Sequence, residues 1–310
     1  MRKLWQYLKN HLAVDFDPYV YLPILSFLGI LVTINYTIDF EDNYLEPQQG
    51  FIKFLCYFIF YSIPYYLCLV VYSLRTHASF WYTSAFWIKS ALALCCLSID
   101  SSVPFLRAWM EIFPAELQYW MYKVVVNAIS FIIVMLPLLI YYYSLEEDDR
   151  TVYGLLQRKF DYHPYLVILM LMLPLIIFAS FNESFLSQYP MYKTSSAHEY
   201  LKIPEWVTIV GYEFAYGLDF ITVEFLFRGF MVIGMVHLLG RKSVLAMAVV
   251  YCLLHFGKPA GEAVSSLAGG YVLGAIAFET RSIWGGIIVH VGIAYMMEIV
   301  SFIVLNLNEA

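Results

Sequence analysis

The chain has 310 residues, of which 61% are hydrophobic, 19% aromatic and only 14% charged. Soluble domains are about 45–50% apolar and about 25% charged, so a soluble globular domain is excluded. The apolar runs are long and continuous, which excludes a barrel of alternating strands, and the net charge of −6 argues against a nucleic-acid partner.

The first eleven residues, Met1 to His11, are basic and aromatic and lack a signal-peptide core and cleavage site. They read as a cytoplasmic interfacial segment before an uncleaved helix. Apolar runs then follow at about 18–38, 51–74, 80–98, 118–144, 164–181, 204–239, 242–257, 261–279 and 283–305, set against the roughly 20 residues of a crossing, with the seventh and eighth short. Tyrosines near segment ends, among them Tyr19, Tyr72, Tyr82 and Tyr142, suit an interfacial belt. The expected fold class is an all-α polytopic membrane protein of about eight or nine transmembrane helices. The sixth run is too long for one straight crossing, and Gly217-Leu-Asp219 in its middle predicts a kink.

Basic residues give the orientation. Arg2, Lys3, Lys9, Arg75, Arg150, Arg158, Lys159, Arg241, Lys242 and Arg281 fall on one side of a nine-span chain, against Arg107, Lys193, Lys202 and Lys258 on the other. This places the N-terminus in the cytoplasm. The expected location is a bacterial plasma membrane. The polar stretch from Glu146 to Arg150 divides the chain into an N-terminal membrane region, 1–150, and a second region, 151–310. Lys53, Lys89 and Lys123 lie in or near the spans of the first region, the outer two able to snorkel and Lys89 expected to be paired structurally. All five cysteines lie in apolar runs without metal spacing and read as small buried hydrophobes. The C-terminal polar pattern is not echoed in the N-terminal half, as an inverted-repeat transporter would require.

The chemistry is concentrated in three C-terminal segments. Glu224 and Arg228 lie one helical turn apart in the long apolar run. A charge at a bilayer centre costs about 2.5–3.5 kcal/mol on insertion scales, so an idle pair is costly. His255 ends the seventh run beside the turn to Glu262, and His290 and Glu298 lie in the last run. Each has a structural reading: ion pairing for Glu224–Arg228, capping for His255, a helix–helix hydrogen bond for His290, and a helix N-terminal role for Glu262. Together they fit a buried polar chamber in which a glutamate and histidine activate water and a second histidine donates to an oxyanion. The same groups could ligate a divalent metal such as zinc, although no His-Glu-x-x-His motif occurs and no cofactor is required. Ser266, Gly270 and Gly274 form a stripe of small residues suited to close helix approach, as do Gly285 and Gly286.

At these residues the chain resembles the CPBP family of intramembrane proteases, which includes type II CAAX prenyl endopeptidases and proteins labelled abortive-infection proteins. The family pattern is a Glu-Glu-x-x-x-Arg helix, a Phe-x-x-x-His helix and a His-x-x-x-Asn helix. The resemblance runs over about 164–305 and aligns Glu224, Arg228, His255 and His290 with the motif positions, with Tyr251 in place of Phe. Val223 stands at the first glutamate and Ala294 at the final asparagine. The resemblance implies an endopeptidase acting on a peptide or protein at the bilayer, with membrane lipid as its surroundings. Glu224 would be the base or its orienting carboxylate, His255 its partner, His290 an oxyanion donor and Arg228 the counter-charge. Glu262 or Glu298 are second-tier candidates for the missing carboxylate. A catalytically inactive scaffold of the same fold and a proton- or ion-coupled transporter are the alternatives. On straight helices Glu224 and His255 would lie in the outer half of the membrane and His290 nearer the inner face.

Overall fold

A computed structural model describes residues 2–76, 78–103, 109–146, 151–157 and 160–309, and among these no strand occurs. Twelve helices carry the architecture. They are α1 Arg2–Asp15, α2 Pro18–Ile38, α3 Gly50–Ser73, α4 Ser84–Ser101, α5 Ala115–Leu145, α6 His163–Ala179, α7 Glu183–Gln188, α8 Ala197–Leu201, α9 Glu205–Leu239, α10 Lys242–Leu253, α11 Ala260–Thr280 and α12 Trp284–Glu309. By length and composition α2, α3, α4, α5, α9, α11 and α12 can cross a membrane, while α6 and α10 are apolar but shorter. The protein is an all-α polytopic membrane protein.

The helix ends follow local chemistry. The Asp17 carboxylate accepts from the Tyr19 amide at 2.9 Å, with Pro18 at the first position of α2. Pro204 and Pro259 precede α9 and α11. Arg281 closes α11 in the left-handed region at φ 55°. The kink expected at Gly217 is absent: α9 stays α-helical from Glu205 to Glu224. Gly217 is instead a close-approach position, because a Cβ there would lie 2.2 Å from the Tyr295 hydroxyl oxygen of α12. The irregularity begins one residue after Glu224, where Phe225–Ile233 winds as a π-helix with every residue buried. Widened turns of this kind recur at functional sites.

Helix α10 is the centre of the bundle. Every residue from Ser243 to Leu253 is buried, as expected of a helix apolar all round. It packs on α3, α9 and α11. The small stripe on α11 works as its spacing predicts: a Cβ at Gly274 would meet Met247 at 2.6 Å, and one at Gly270 would meet Tyr251 at 2.8 Å. The largest apolar cluster joins side chains of α2, α3 and α4 to those of α9, α10 and α11.

One end of the bundle gathers Arg75 against Asp17, Lys242 against Thr76, and Arg241 against His11 and Glu279. The first helix, α1, packs on α11 at this end. Of the basic residues used for orientation, Arg107, Arg150, Arg158 and Lys159 lie outside the described residues. The lysines expected to snorkel or pair are all engaged. Lys53 bonds Glu46 at 2.9 Å, Lys123 donates to the Met191 carbonyl at 3.0 Å, and Lys89 donates to the Gly234 carbonyl at 2.5 Å beside Glu146. The cysteines are free thiols.

Candidate active site

Glu224 is the last α-helical residue before the π-helical turn, and Arg228 lies inside that turn. Both are fully buried. Arg228 Nη1 approaches Glu224 Oε1 at 2.8 Å, and the guanidinium carbon stands 4.2 Å over the ring of Tyr251. The pair is a charge contact more than an aligned hydrogen bond, since the Arg228 N–H groups meet no acceptor in hydrogen-bond geometry among the described residues. The aromatic face supplies part of the missing compensation.

The same carboxylate oxygen accepts from His290 Nδ1 at 3.0 Å. This fixes the tautomer, leaving Nε2 as acceptor for the Tyr251 hydroxyl at 3.2 Å. Four side chains from three helices thus form one chain of contacts, Arg228, Glu224, His290 and Tyr251. Gly286 makes it sterically attainable: a Cβ at that position would lie 1.9 Å from Glu224 Oε2. The expected depth mismatch between Glu224 and His290 does not occur.

His255 joins through Tyr251. Its Nδ1–H donates to the Tyr251 carbonyl at 2.8 Å, and the two rings meet edge to face at 4.6 Å between centroids. That bond leaves Nε2 with its lone pair, and no group among the described residues hydrogen-bonds to it. His255 is therefore the histidine with an open basic nitrogen, while both nitrogens of His290 are engaged.

The second-tier carboxylates do other work. Glu298 accepts from the backbone amide of Met191, at 2.8 and 3.0 Å to its two oxygens. Glu262 pairs with Lys258 at 2.9 Å and accepts from the Tyr189 hydroxyl at 2.9 Å. Both hold the Tyr189–Tyr192 segment to the bundle, and no hydrogen bond or ion pair joins either of them to Glu224 or to a histidine. Glu262 lies in the first turn of α11 and Glu298 in the middle of α12, and each side chain meets the Tyr189–Tyr192 segment that passes over it.

The two apolar departures are packed, not hollow. Val223 lies against the main core, and Ala294 sits in a cluster with Tyr192, Tyr212, Tyr216 and Phe220. Those aromatics form a column, with centroid spacings of 5.0 Å for Tyr192–Tyr212, 5.6 Å for Tyr212–Tyr216 and 4.7 Å for Tyr216–Phe220. Phe220 then meets the His290 ring at 4.4 Å. Residues 212, 216, 220 and 224 recur every four positions, so one face of α9 carries the column down to the buried carboxylate.

Residues 204–296 match the family model described as type II CAAX prenyl endopeptidase, Rce1-like. This segment is similar to that family. The match begins at α9 and ends within α12, so α6 lies outside it and the resemblance expected from about 164 is narrower at both ends. Glu224, Arg228, Tyr251, His255 and His290 all lie inside the Rce1-like segment, and Glu298 falls two residues beyond it. No curated protein and no solved structure matches the chain.

Among the described residues no three His, Cys, Asp or Glu side chains gather into a metal-binding group. Glu224 Oε1 is already shared by Arg228 and His290. Sequence reasoning missed Tyr251 as more than a replaced phenylalanine. Its position four residues before His255, on the same helical face, is the signal that marks it.

Proposed function

We propose that this protein is an intramembrane endopeptidase that hydrolyses a peptide bond of a membrane-associated peptide or protein without a covalent intermediate. The carrying observation is the contact of the fully buried Glu224 with the partly buried His290 at 3.0 Å inside the Rce1-like segment. A carboxylate held against an imidazole in low dielectric stabilises the imidazolium, so His290 can accept a proton and offer it to a developing oxyanion. For that, a substrate carbonyl displaces the Tyr251 hydroxyl from Nε2. Arg228 neutralises Glu224 and fixes its rotamer. Glu224 therefore acts as the orienting carboxylate, since Gly286, Arg228 and His290 leave no side of it open to water. His255 Nε2 serves as a proton acceptor near the reacting centre.

The test is cleavage of a quenched peptide library by the purified full chain in lipid nanodiscs. Wild type should cleave, and Glu224→Gln and His255→Ala should each lose about 10²–10⁴-fold, the range of a general acid–base group. A folded wild type that cleaves nothing overturns the reading and leaves a scaffold. So does wild-type cleavage by the Glu224→Gln variant.

A further inference from the structure

Lys89 of α4 is buried and takes no part in the chemistry above. It reaches the far end of the π-helical turn that carries Arg228. That turn, Phe225–Ile233, is closed by the Gly234 amide, which donates to the Gly229 carbonyl at 2.8 Å. The winding then breaks. The amides of Leu238 and Leu239, which a continuing helix would aim at the Gly234 carbonyl, donate to Met235 instead, at 3.1 and 2.8 Å. Lys89 Nζ takes their place, donating to the Gly234 carbonyl at 2.5 Å, with Glu146 at the end of α5 as its counter-charge.

Tyr153 ties the same lysine to the start of the turn. Its side chain is fully buried, and Lys89 Nζ stands 5.9 Å from its ring centroid. The ring meets Phe225 at 5.9 Å and Phe230 at 5.1 Å between centroids. A Cβ at Gly229 would lie 3.1 Å from the Tyr153 carbonyl oxygen, and one at Gly234 would lie 3.0 Å from its ring. Phe225 and Gly229 are the chain neighbours of Glu224 and Arg228. Lys89 and Tyr153 therefore grip the turn on both sides of Arg228, through contacts that run unbroken to the Glu224–His290 pair.

The winding itself explains the need for a grip. A π-helix is rare beside the α-helix, and a buried carbonyl without a donor is costly. Without Lys89, the Gly234 carbonyl is satisfied by drawing in the Leu238 amide, which extends α-helical winding back into the turn. Four residues turn further around an α-helix than around a π-helix, so that change swings Arg228 away from its place over Glu224 and Tyr251.

We propose that Lys89 is a positioning residue of the site: it holds the π-helical turn at Gly234 and so fixes Arg228, and through it Glu224 and His290. The N-terminal region thereby contributes to a site whose reactive groups all lie in the C-terminal helices. The effect on cleavage rests on the hydrolase reading above, whereas the effect on the His290 ring does not.

The experiment compares wild type, Lys89→Met, Lys89→Arg, Tyr153→Leu and, as a lysine paired elsewhere in the N-terminal region, Lys53→Met. Each is checked for folding by size exclusion and read by nanodisc cleavage and by the nitrogen chemical shifts of the His290 ring. Lys89→Met should lower kcat by about 10- to 10²-fold with KM unchanged, the scale of a misplacement of about 1 Å, and should move the His290 signals. Lys89→Arg, which keeps a donor for Gly234, should restore most of both, and Lys53→Met should move neither. A folded Lys89→Met with wild-type kcat and unmoved His290 signals overturns the assignment while leaving the hydrolase reading intact. An equal shift from Lys53→Met also overturns it. Where Lys89→Met does not fold, Tyr153→Leu decides by the same two readouts, and failure of both to fold assigns the pair to stability alone and overturns the proposal. A wild type that cleaves nothing overturns the hydrolase reading, and the His290 signals then judge Lys89 by themselves.

Discussion

Two sets of carboxylates occupy the C-terminal helices, and they are solved differently. Glu224 lies in mid-helix and is satisfied by Arg228 on its own helix and His290 across the interface. Glu262 and Glu298 lie near the end of the bundle that carries the Tyr189–Tyr192 segment, and are satisfied by an amide, a tyrosine hydroxyl and a lysine. What packs against each decides the difference. Far from any loop, an ionised group can be compensated only by another ionisable side chain or a fixed dipole, whereas a carboxylate facing a loop finds backbone and hydroxyl donors there. The first arrangement aligns reactive groups, and the second fastens a loop.

The largest effect should come from removing the deep counter-charge. Arg228→Met leaves Glu224 buried without its permanent counter-charge and should cost about 3–5 kcal/mol in unfolding free energy measured in detergent. Adding Glu224→Gln to it should return much of that loss. If Arg228→Met costs no more than a surface change, the two sets of carboxylates are not distinguished by the groups packed against them. Gly286→Ala is next, at about 1–3 kcal/mol, because the new methyl occupies the space of Glu224 Oε2. The same variant should abolish the Glu224–His290 contact, which histidine ring chemical shifts would report.

On the loop side, Glu298→Ala should cost about 1–3 kcal/mol, since it leaves the Met191 amide without its buried acceptor. Its sharper signature is faster limited proteolysis between residues 188 and 196. Unchanged proteolysis would mean that the loop is held by Glu262 alone.

The smallest effect concerns Glu41, in the turn between α2 and α3. Burial pushes its carboxyl up to about 7 from an ordinary 4.5, opposed by the Tyr57 hydroxyl and the Gly257 amide and reinforced by Glu46 and Asp42. The folded state therefore binds more protons than the unfolded state between about pH 4.5 and 7. Stability from this group is fully present below the lower value and lost as pH rises through the upper one. Glu41→Gln should flatten that part of the unfolding-midpoint curve between pH 5 and 8, leaving Glu224 and its partners untouched.

Much of the fold was legible from hydropathy, because a bilayer permits only helices of a given length. The nine apolar runs correspond to the seven long helices and to α6 and α10. The kink at Gly217 was misread, since a glycine inside an apolar helix can signal either a break or a close neighbour, and here Tyr295 is the neighbour. Of the site, the motif spacing marked Glu224, Arg228, His255 and His290. It gave no hint that Tyr251 would link the two histidines or that Gly286 would make room for the carboxylate, since those relations cross between helices.

Composition and spacing alone determined a helical membrane protein with a charged cluster in its last four spans, because unpaired charges in lipid are too costly to scatter. Which acid meets which partner was decided only by tertiary structure. Glu224, Glu262 and Glu298 are chemically identical, and only the groups packed against them make one part of a reactive chain and the other two loop clamps.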